Sequence, residues 1–319
     1  MVLVVPSKSF PDFPPEAFRG NVLRPGDPGY DKARQIPNAR YGNKPALIAQ
    51  CLDAEDIVLA VKYCDSHDEP IAIRSGGHAI DGHAMPQGAF VIDTSLMKRI
   101  DVDASTGITT IESGVLLGEM DAATQKHGYV VPSGTVSDTG AAGLTLGGGV
   151  GYLTRRFGMT VDSLLSVNVV TVAGEQLTAS ATENPELFWG LRGAGHNLAV
   201  ATSFTYQAHK LGPEVTSGVI TYAIDNAVPI LTKLDNVMQR APRELTIVPV
   251  ILPAPGLDQL NGVPILAFIV VYTGDPTKYE DAMSGIRELG QPQADMTFLL
   301  RLAADSTLVV AIWQLSRPT

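Results

Sequence analysis

The amino-acid sequence predicts an α+β fold, and four observations frame that expectation. Short β-type segments come in antiparallel pairs, most plainly residues 166–172 and 176–179 about Ala173-Gly174-Glu175, and these hairpins are interspersed with helical segments rather than alternating with them strictly. The chain has 319 residues, about twice a typical domain of roughly 150. Hydrophobic residues make up 45% and charged residues 18%, the balance of a globular chain rather than a disordered one. Finally, many of its 31 glycines fall in two short stretches.

Residues 1–44 are rich in Pro, Gly and charge and read as an irregular lead-in. Residues 46–50 form a short apolar run. Asp53 then caps a helix whose first turn carries Glu55 and Asp56, the favourable sign for the helix dipole. Cys64 shares the apolar face of this helix with Ile57 and Val61 and reads as a packing thiol. With Cys51 as its sole companion it makes no disulfide framework. A strand at 71–74 runs into Ser75-Gly76-Gly77-His78. Strands follow at 90–93, 99–102 and 108–112, then a helix over 115–127 that Gly128 stops. After the glycine-dense segment 134–151 and the hairpin, Asn184 as the cap, Pro185 in the first turn and the acid Glu186 start a helix that ends at Gly193. Phe188 and Trp189 sit there with Leu187 and Leu191 and read as core. A strand at 200–208 closes this half, and the Gly-Pro within 210–214 marks a boundary. Beyond it come strands at 219–223, 245–252 and 265–272 and helices at 229–239 and 279–289, then an apolar stretch, 296–319, without a capping polar element.

The formal net charge is −10, which disfavours nucleic acid and anionic membrane as partners, since both are held by clustered Lys and Arg. A phosphate ligand must then rest mainly on backbone amides. No run of about 18 apolar residues suggests a membrane span. Residues 1–13 lack the basic start and apolar core of a secretory signal, so a cytoplasmic location is expected.

The two glycine stretches are Arg74-Ser75-Gly76-Gly77-His78 and the run from Gly140 to Gly151. Glycine lets backbone approach a ligand closely, and successive amides in such turns form an anion-binding nest. Neither stretch is a known nucleotide motif. A P-loop requires Gly-Lys-Ser/Thr, whereas Gly149 is followed by Val150 and Gly151. A dinucleotide fingerprint needs a third glycine where Thr154 and Leu198 stand. One cluster alone reads as tight turns; two, one of them with Arg and His, point to a dinucleotide diphosphate.

The segments Arg74–His78 and Val91-Ile92-Asp93-Thr94-Ser95-Leu96-Met97, the run from Gly143 to Leu153, and the signature from Glu183 to Gly195 together resemble the vanillyl-alcohol oxidase / p-cresol methylhydroxylase (PCMH-type) superfamily. The pattern is most similar to microbial berberine-bridge-enzyme-like and 6-hydroxynicotine-oxidase-like flavoproteins. It covers about residues 40–210, in order. The resemblance implies a lead-in at 1–39, a PCMH-type FAD-binding domain of two α/β subdomains at 40–212, and a partial α+β substrate domain at 213–319. It implies FAD contacts from Arg74, Ser75, Gly76, Gly77, His78, Ala79, Gly134, Ser137, Thr139, Gly140, Ala142, Gly143, Leu144, Gly147, Gly148, Gly149, Gly151 and Val200. It also puts His78 at the position joined to the flavin 8α-methyl. Val136 stands where many relatives carry a cysteine for a second flavin bond, so that bond is expected to be absent. A metal at His78 and His83 is disfavoured, because their spacing crosses a turn and no Cys/His set accompanies them. His83 and His196 read as site-lining or structural. Asp162 reads equally as a residue orienting a loop near the cofactor or as a helix cap.

Relatives extend beyond this length, and a returning segment with a Tyr-x-Asn-like element covers their flavin. No such element is found here, so no catalytic base is assigned. An open substrate domain would expose apolar surface, for which aggregation or a homodimer is the expected outcome. The resemblance implies an FAD-dependent oxidase that takes a hydride from a small organic substrate and passes electrons to O2. The competing expectations are a truncated flavin-binding remnant without turnover, and a flavin dehydrogenase with another acceptor.

Overall fold

The computed structural model describes residues 10–212, 214–253 and 262–301. In chain order its first elements are β1 (Asn21–Leu23), α1 (Tyr30–Ala33), β2 (Leu47–Gln50), α2 (Ala54–Ser66), β3 (Ile71–Arg74) and β4 (Phe90–Asp93). The four strands form one sheet in the order β1-β2-β4-β3. β4 runs parallel to both β2 and β3, while β1 joins antiparallel. Asp53 caps α2 as expected, accepting from the amides of Glu55 and Asp56. Cys64 is fully buried in the same core as Ile57 and Val61, and burial pushes its thiol up to about 12, which keeps it unreactive.

The lead-in is more ordered than its composition suggests. It supplies β1, and Phe10, Phe13 and Phe18 are buried in the first core. Phe13 meets Phe18, Tyr63 and Phe90 edge-on at ring separations of 5.0, 5.2 and 4.9 Å. No periodicity announces these residues because each is anchored by a tertiary contact and not by a regular element. Residues 1–9 lie outside the described residues.

Next come β5 (Ile100–Val102), β6 (Ile108–Glu112), α3 (Leu117–Gln125), β7 (Tyr129–Val130), α4 (Ala141–Leu146), α5 (Thr154–Phe157), β8 (Leu164–Val170), β9 (Gln176–Ser180), α6 (Pro185–Leu191), β10 (Val200–Gln207) and β11 (His209–Lys210). Five of these strands make an antiparallel sheet in the order β5-β6-β10-β8-β9. The expected hairpin is β8–β9, turned at Gly174 with φ +75°. Two details of α6 differ from expectation. Asn184 adopts φ +47° and makes no side-chain cap; its amide donates instead to the Thr178 carbonyl at 2.7 Å. Trp189 is 72% exposed, whereas Phe188 is 5% exposed. Adjacent helical residues point about 100° apart, so the face that buries Phe188 and Leu191 turns Trp189 outward.

The core of the second sheet contains a buried polar chain. Thr145 donates to the Ala141 carbonyl at 2.8 Å, so the Tyr206 hydroxyl, 2.8 Å away, donates to Thr145. Thr145→Val leaves that phenol buried without a partner. The expected cost is about 1–3 kcal/mol, read as a lower denaturant midpoint, and adding Tyr206→Phe should recover most of it.

The remaining elements are β12 (Glu214–Ala223), α7 (Ala227–Arg240), β13 (Leu245–Pro253), β14 (Pro264–Tyr272), α8 (Tyr279–Arg287) and β15 (Ala294–Arg301). The strands form an antiparallel sheet in the order β13-β14-β12-β15. Helices α7 and α8 cover one face through Ile230, Leu234, Met283 and Ile286, packed on Ile220, Tyr222 and Phe268. Val248, Ile269, Val219 and Met296 are register neighbours across the opposite face. Of the apolar stretch 296–319, residues 302–319 lie outside the described residues.

Side chains from the segment around α5 hold the second and third sheets together. Arg155 donates through Nε to the Leu245 carbonyl at 2.8 Å and through Nη2 to those of Met238 and Ala241 at 3.1 and 3.2 Å. Arg156 donates to the Thr273 carbonyl, and Thr246 donates to that of Tyr152 at 2.8 Å. This clamp follows directly on the second glycine stretch.

Candidate functional site

The site begins where β3 and β4 end. Arg74, the last residue of β3, pairs through Nη1 with Asp93, the last residue of β4, at 3.2 and 3.3 Å. Asp93 is fully buried, and it also accepts from Gln50 Nε2 at 3.1 Å and the Ser95 amide at 2.9 Å. The Arg74 Nε is buried and has no partner. Ser75 donates to the Ser113 carbonyl at 2.7 Å, which steers the chain toward the second sheet. Gly77 then turns at φ +75°.

The two glycine stretches meet. A Cβ added to Gly76 would lie 2.2 Å from the Gly140 amide nitrogen, and one added to Gly140 would lie 2.4 Å from that of Gly76. Only glycine at both positions permits this approach. It brings the imidazole of His78 to the 137–140 turn, where Nε2 lies 3.1 Å from Asp138 Oδ1 and Nδ1 lies 3.4 Å from Thr139 Oγ1. The turn is held from outside: the Gly118 amide donates to the Ser137 carbonyl and the Leu117 amide to the Thr139 carbonyl, both at 2.9 Å. Val136, beside it, is 46% exposed.

The second stretch is not loop throughout. Ala142, Gly143 and Leu144 lie within α4, with Gly140 and Gly147 flanking it. The sequence does not announce this helix, because its glycines mask the pattern. A Cβ at Gly143 would meet nothing within 4 Å, so that face is open. His196 sits nearby, with Nε2 3.1 Å from the Gly143 carbonyl. Other glycines serve packing. A Cβ at Gly151 would lie 1.8 Å from the Ser133 carbonyl oxygen, at Gly149 2.1 Å from Thr160 Oγ1, at Gly134 2.4 Å from Leu144 Cδ1, and at Gly148 2.6 Å from Met159 Cε. The Thr160 and Val161 amides donate to the carbonyls of Gly149 and Gly148 at 3.0 and 3.1 Å. Asp162 orders that turn by accepting from the Met159 amide at 2.7 Å. It therefore caps a turn and, in doing so, backs the second glycine stretch.

A cleft of about 310 Å³ runs between β3 and the strands β8 and β10, lined by Ile73, Val170, His196, Leu198 and Val200. Ile73 precedes Arg74 in β3, and His196 bonds the Gly143 carbonyl, so two lining residues adjoin the glycine stretches although residues 74–78 and 140–151 do not line the cleft themselves. Its walls are mainly aliphatic, with Asp65 and Glu69 also lining it. Burial raises the Tyr152 phenol just beyond the second stretch. His83 is exposed and pairs with Asp81 at 2.9 Å on its own loop. Among the described residues no group of three or more His, Cys, Asp or Glu side chains is placed to hold a metal ion, and no helix is long and apolar enough to cross a membrane.

These residues fit a dinucleotide. Arg74 Nε is an unused buried donor, Gly143 presents uncovered backbone, and the aliphatic cleft has the size for a flat ring system. Two participants escaped the sequence reading. Asp138 lies between Ser137 and Thr139, but its meeting with His78 depends on the Gly76–Gly140 contact. Asp93 lies within the Val91–Met97 motif, yet its role as the anchor of Arg74 depends on the parallel pairing of β3 and β4.

Residues 45–180 match the model of the FAD binding domain family. The chain is 33% identical to (R)-6-hydroxynicotine oxidase of Paenarthrobacter nicotinovorans over 88% of its own length and 61% of that protein's. It is 32% identical to an FAD-linked oxidoreductase of Dictyostelium discoideum over 87% of its length and 59% of that protein's. Among solved structures it resembles 6-hydroxy-D-nicotine oxidase from Arthrobacter nicotinovorans with a TM-score of 0.83 and 31% identity, covering 93% of this chain and 64% of that one. It also resembles xylooligosaccharide oxidase from Myceliophthora thermophila with a TM-score of 0.77 and 26% identity, covering 89% and 59%. The chain thus spans about three fifths of the length of these two curated relatives, and less than half of several others.

Proposed function

Since residues 45–180 belong to the FAD binding domain family and the chain to the FAD-linked oxidoreductases akin to (R)-6-hydroxynicotine oxidase, we propose that it is an FAD-dependent oxidase acting on a small organic substrate. The observation that carries this reading is the meeting of the two glycine stretches at Gly76 and Gly140, with His78 at their junction. Bound FAD would supply a two-electron acceptor for a hydride from a C–H bond beside O or N, with dioxygen as the terminal acceptor. The backbone of residues 75–79 and the open face at Gly143 would hold the diphosphate. Arg74 Nε would add a charge-assisted donor beneath it, and the cleft at Val200 would take a ring system. His78 would carry the flavin covalently, and Val136 would offer no second bond.

The test is the visible spectrum of the purified chain before and after acid precipitation. Yellow colour that stays in the pellet is the expected result, and His78→Ala should release all of it to the supernatant while leaving reversible FAD binding. Acid-stable colour in His78→Ala would overturn the attachment. A protein that stays colourless in the presence of FAD would overturn the flavin reading. Peroxide formation with candidate amines and sugars separates oxidase turnover from flavin holding alone.

A further inference from the structure

Asp138 has no assigned part in holding a flavin, yet its carboxylate lies within hydrogen-bonding distance of the histidine proposed to carry it. We propose that Asp138 is the positioning residue for flavin attachment: it fixes the proton of His78 on Nε2 and leaves the Nδ1 lone pair as the nucleophile. The inference rests on the reading that His78 bonds the flavin. A carboxylate only accepts, so Asp138 Oδ1, 3.1 Å from Nε2, selects the tautomer with hydrogen on Nε2. Nδ1 faces Thr139 Oγ1 at 3.4 Å, a contact long enough to be given up readily. The backbone that presents Asp138 is held on both sides by the Gly118 and Leu117 amides. The Asp138 side chain is 70% exposed, so its own contribution to folding is small.

The chemistry balances as follows. A bond forms between His78 Nδ1 and the carbon of the 8α-methyl. The methyl gives up one hydrogen and the imidazole gives up the Nε2 proton that Asp138 holds. The electron pair and both hydrogens pass to the isoalloxazine, and dioxygen removes them as hydrogen peroxide, so the flavin ends oxidised and attached. Asp138 stabilises the positive charge that builds on the ring as Nδ1 bonds, and it prevents the other nitrogen from competing.

The experiment adds FAD in air to the flavin-free chain and follows acid-precipitable flavin fluorescence with time. Reversible binding is measured separately by fluorescence quenching. Asp138→Asn should slow covalent attachment by about tenfold, the lower end for loss of a hydrogen bond to a charged group, with reversible affinity within about twofold. Asp138→Glu should recover part of the rate, and Asp138→Ser should repeat the Asn result. The flavin peptide from the unsubstituted chain should carry the bond on Nδ1, and that from Asp138→Asn a mixture of Nδ1 and Nε2 isomers. A purely structural role would not change the isomer ratio. Unchanged rate and isomer purity in Asp138→Asn and Asp138→Ser would overturn the proposal while leaving His78 as the attachment site. Attachment through Nε2 in the unsubstituted chain would also overturn it. No acid-stable flavin in the unsubstituted chain would remove both readings together.

Discussion

Replacing Gly76 by alanine should leave a chain that no longer loads FAD. One methyl is enough because the atoms it meets are backbone: its carbon would fall 2.2 Å from the Gly140 nitrogen and 2.8 Å from the Gly140 Cα. No side-chain rotation relieves such a contact, so the two stretches must part. Overpacking of this kind costs roughly 1–3 kcal/mol in stability, a modest share of what a folded domain has. The effect on the cofactor should be larger. Parting the stretches withdraws Asp138 and Thr139 from His78 and opens the junction at which the diphosphate is proposed to sit. The expected result is a folded protein with flavin absorbance below a tenth of the unsubstituted level after equilibration with FAD, and no acid-stable fraction. Gly143→Ala is the matching control. Its Cβ meets nothing in the free chain, and alanine favours a helix interior by about 1 kcal/mol over glycine. It should raise the thermal midpoint while weakening FAD binding, if the cofactor covers that face. Normal loading in Gly76→Ala would show that the contact between the stretches does not build the site.

The contrast between these two glycines shows what a sequence makes legible. Strands β3, β4 and β6, the cap at Asp53 and the β8–β9 hairpin follow from local patterns, since period, capping residue and turn glycine act within a few residues of one another. The order of the motifs also pairs the two glycine stretches, and the structure brings them into contact at Gly76 and Gly140. Which glycine faces a ligand and which faces the protein was not legible. Gly143 is open, whereas Gly151 lies against the Ser133 carbonyl, and both look alike in the chain. The three phenylalanines of the lead-in, the outward turn of Trp189 and the clamp at Arg155 are invisible for the same reason. Each is decided by a partner tens of residues away, through packing rather than propensity.

The second large effect should come from Asp93→Ala. Asp93 is fully buried and ties the ends of three strands: it accepts from Gln50 at the end of β2, pairs with Arg74 at the end of β3, and itself ends β4. The pair is laterally buttressed as well, since the Thr94 amide donates to the Arg74 carbonyl at 2.8 Å. Removing the carboxylate strands a guanidinium that is itself 17% exposed and whose Nε already lacks a partner. Breaking one side of a buried pair costs about 3–5 kcal/mol, against a total of roughly 5–15 for a typical domain. The expected outcome in the flavin-free chain is a denaturant midpoint lowered by a third or more. Cofactor loading should fall further than stability, because Arg74 opens the first glycine stretch. Two companions separate the causes. Asp93→Leu with Arg74→Met replaces the pair by apolar groups of similar size, and such exchanges are often neutral or stabilising. That double variant should therefore recover part of the midpoint, the remainder being lost with the acceptor of Gln50 Nε2 and the Ser95 amide. It should still bind FAD weakly, since it lacks the Arg74 donor beneath the proposed diphosphate. If the double variant regained both stability and full FAD affinity, Arg74 would be a structural arginine and the diphosphate would rest on backbone amides alone.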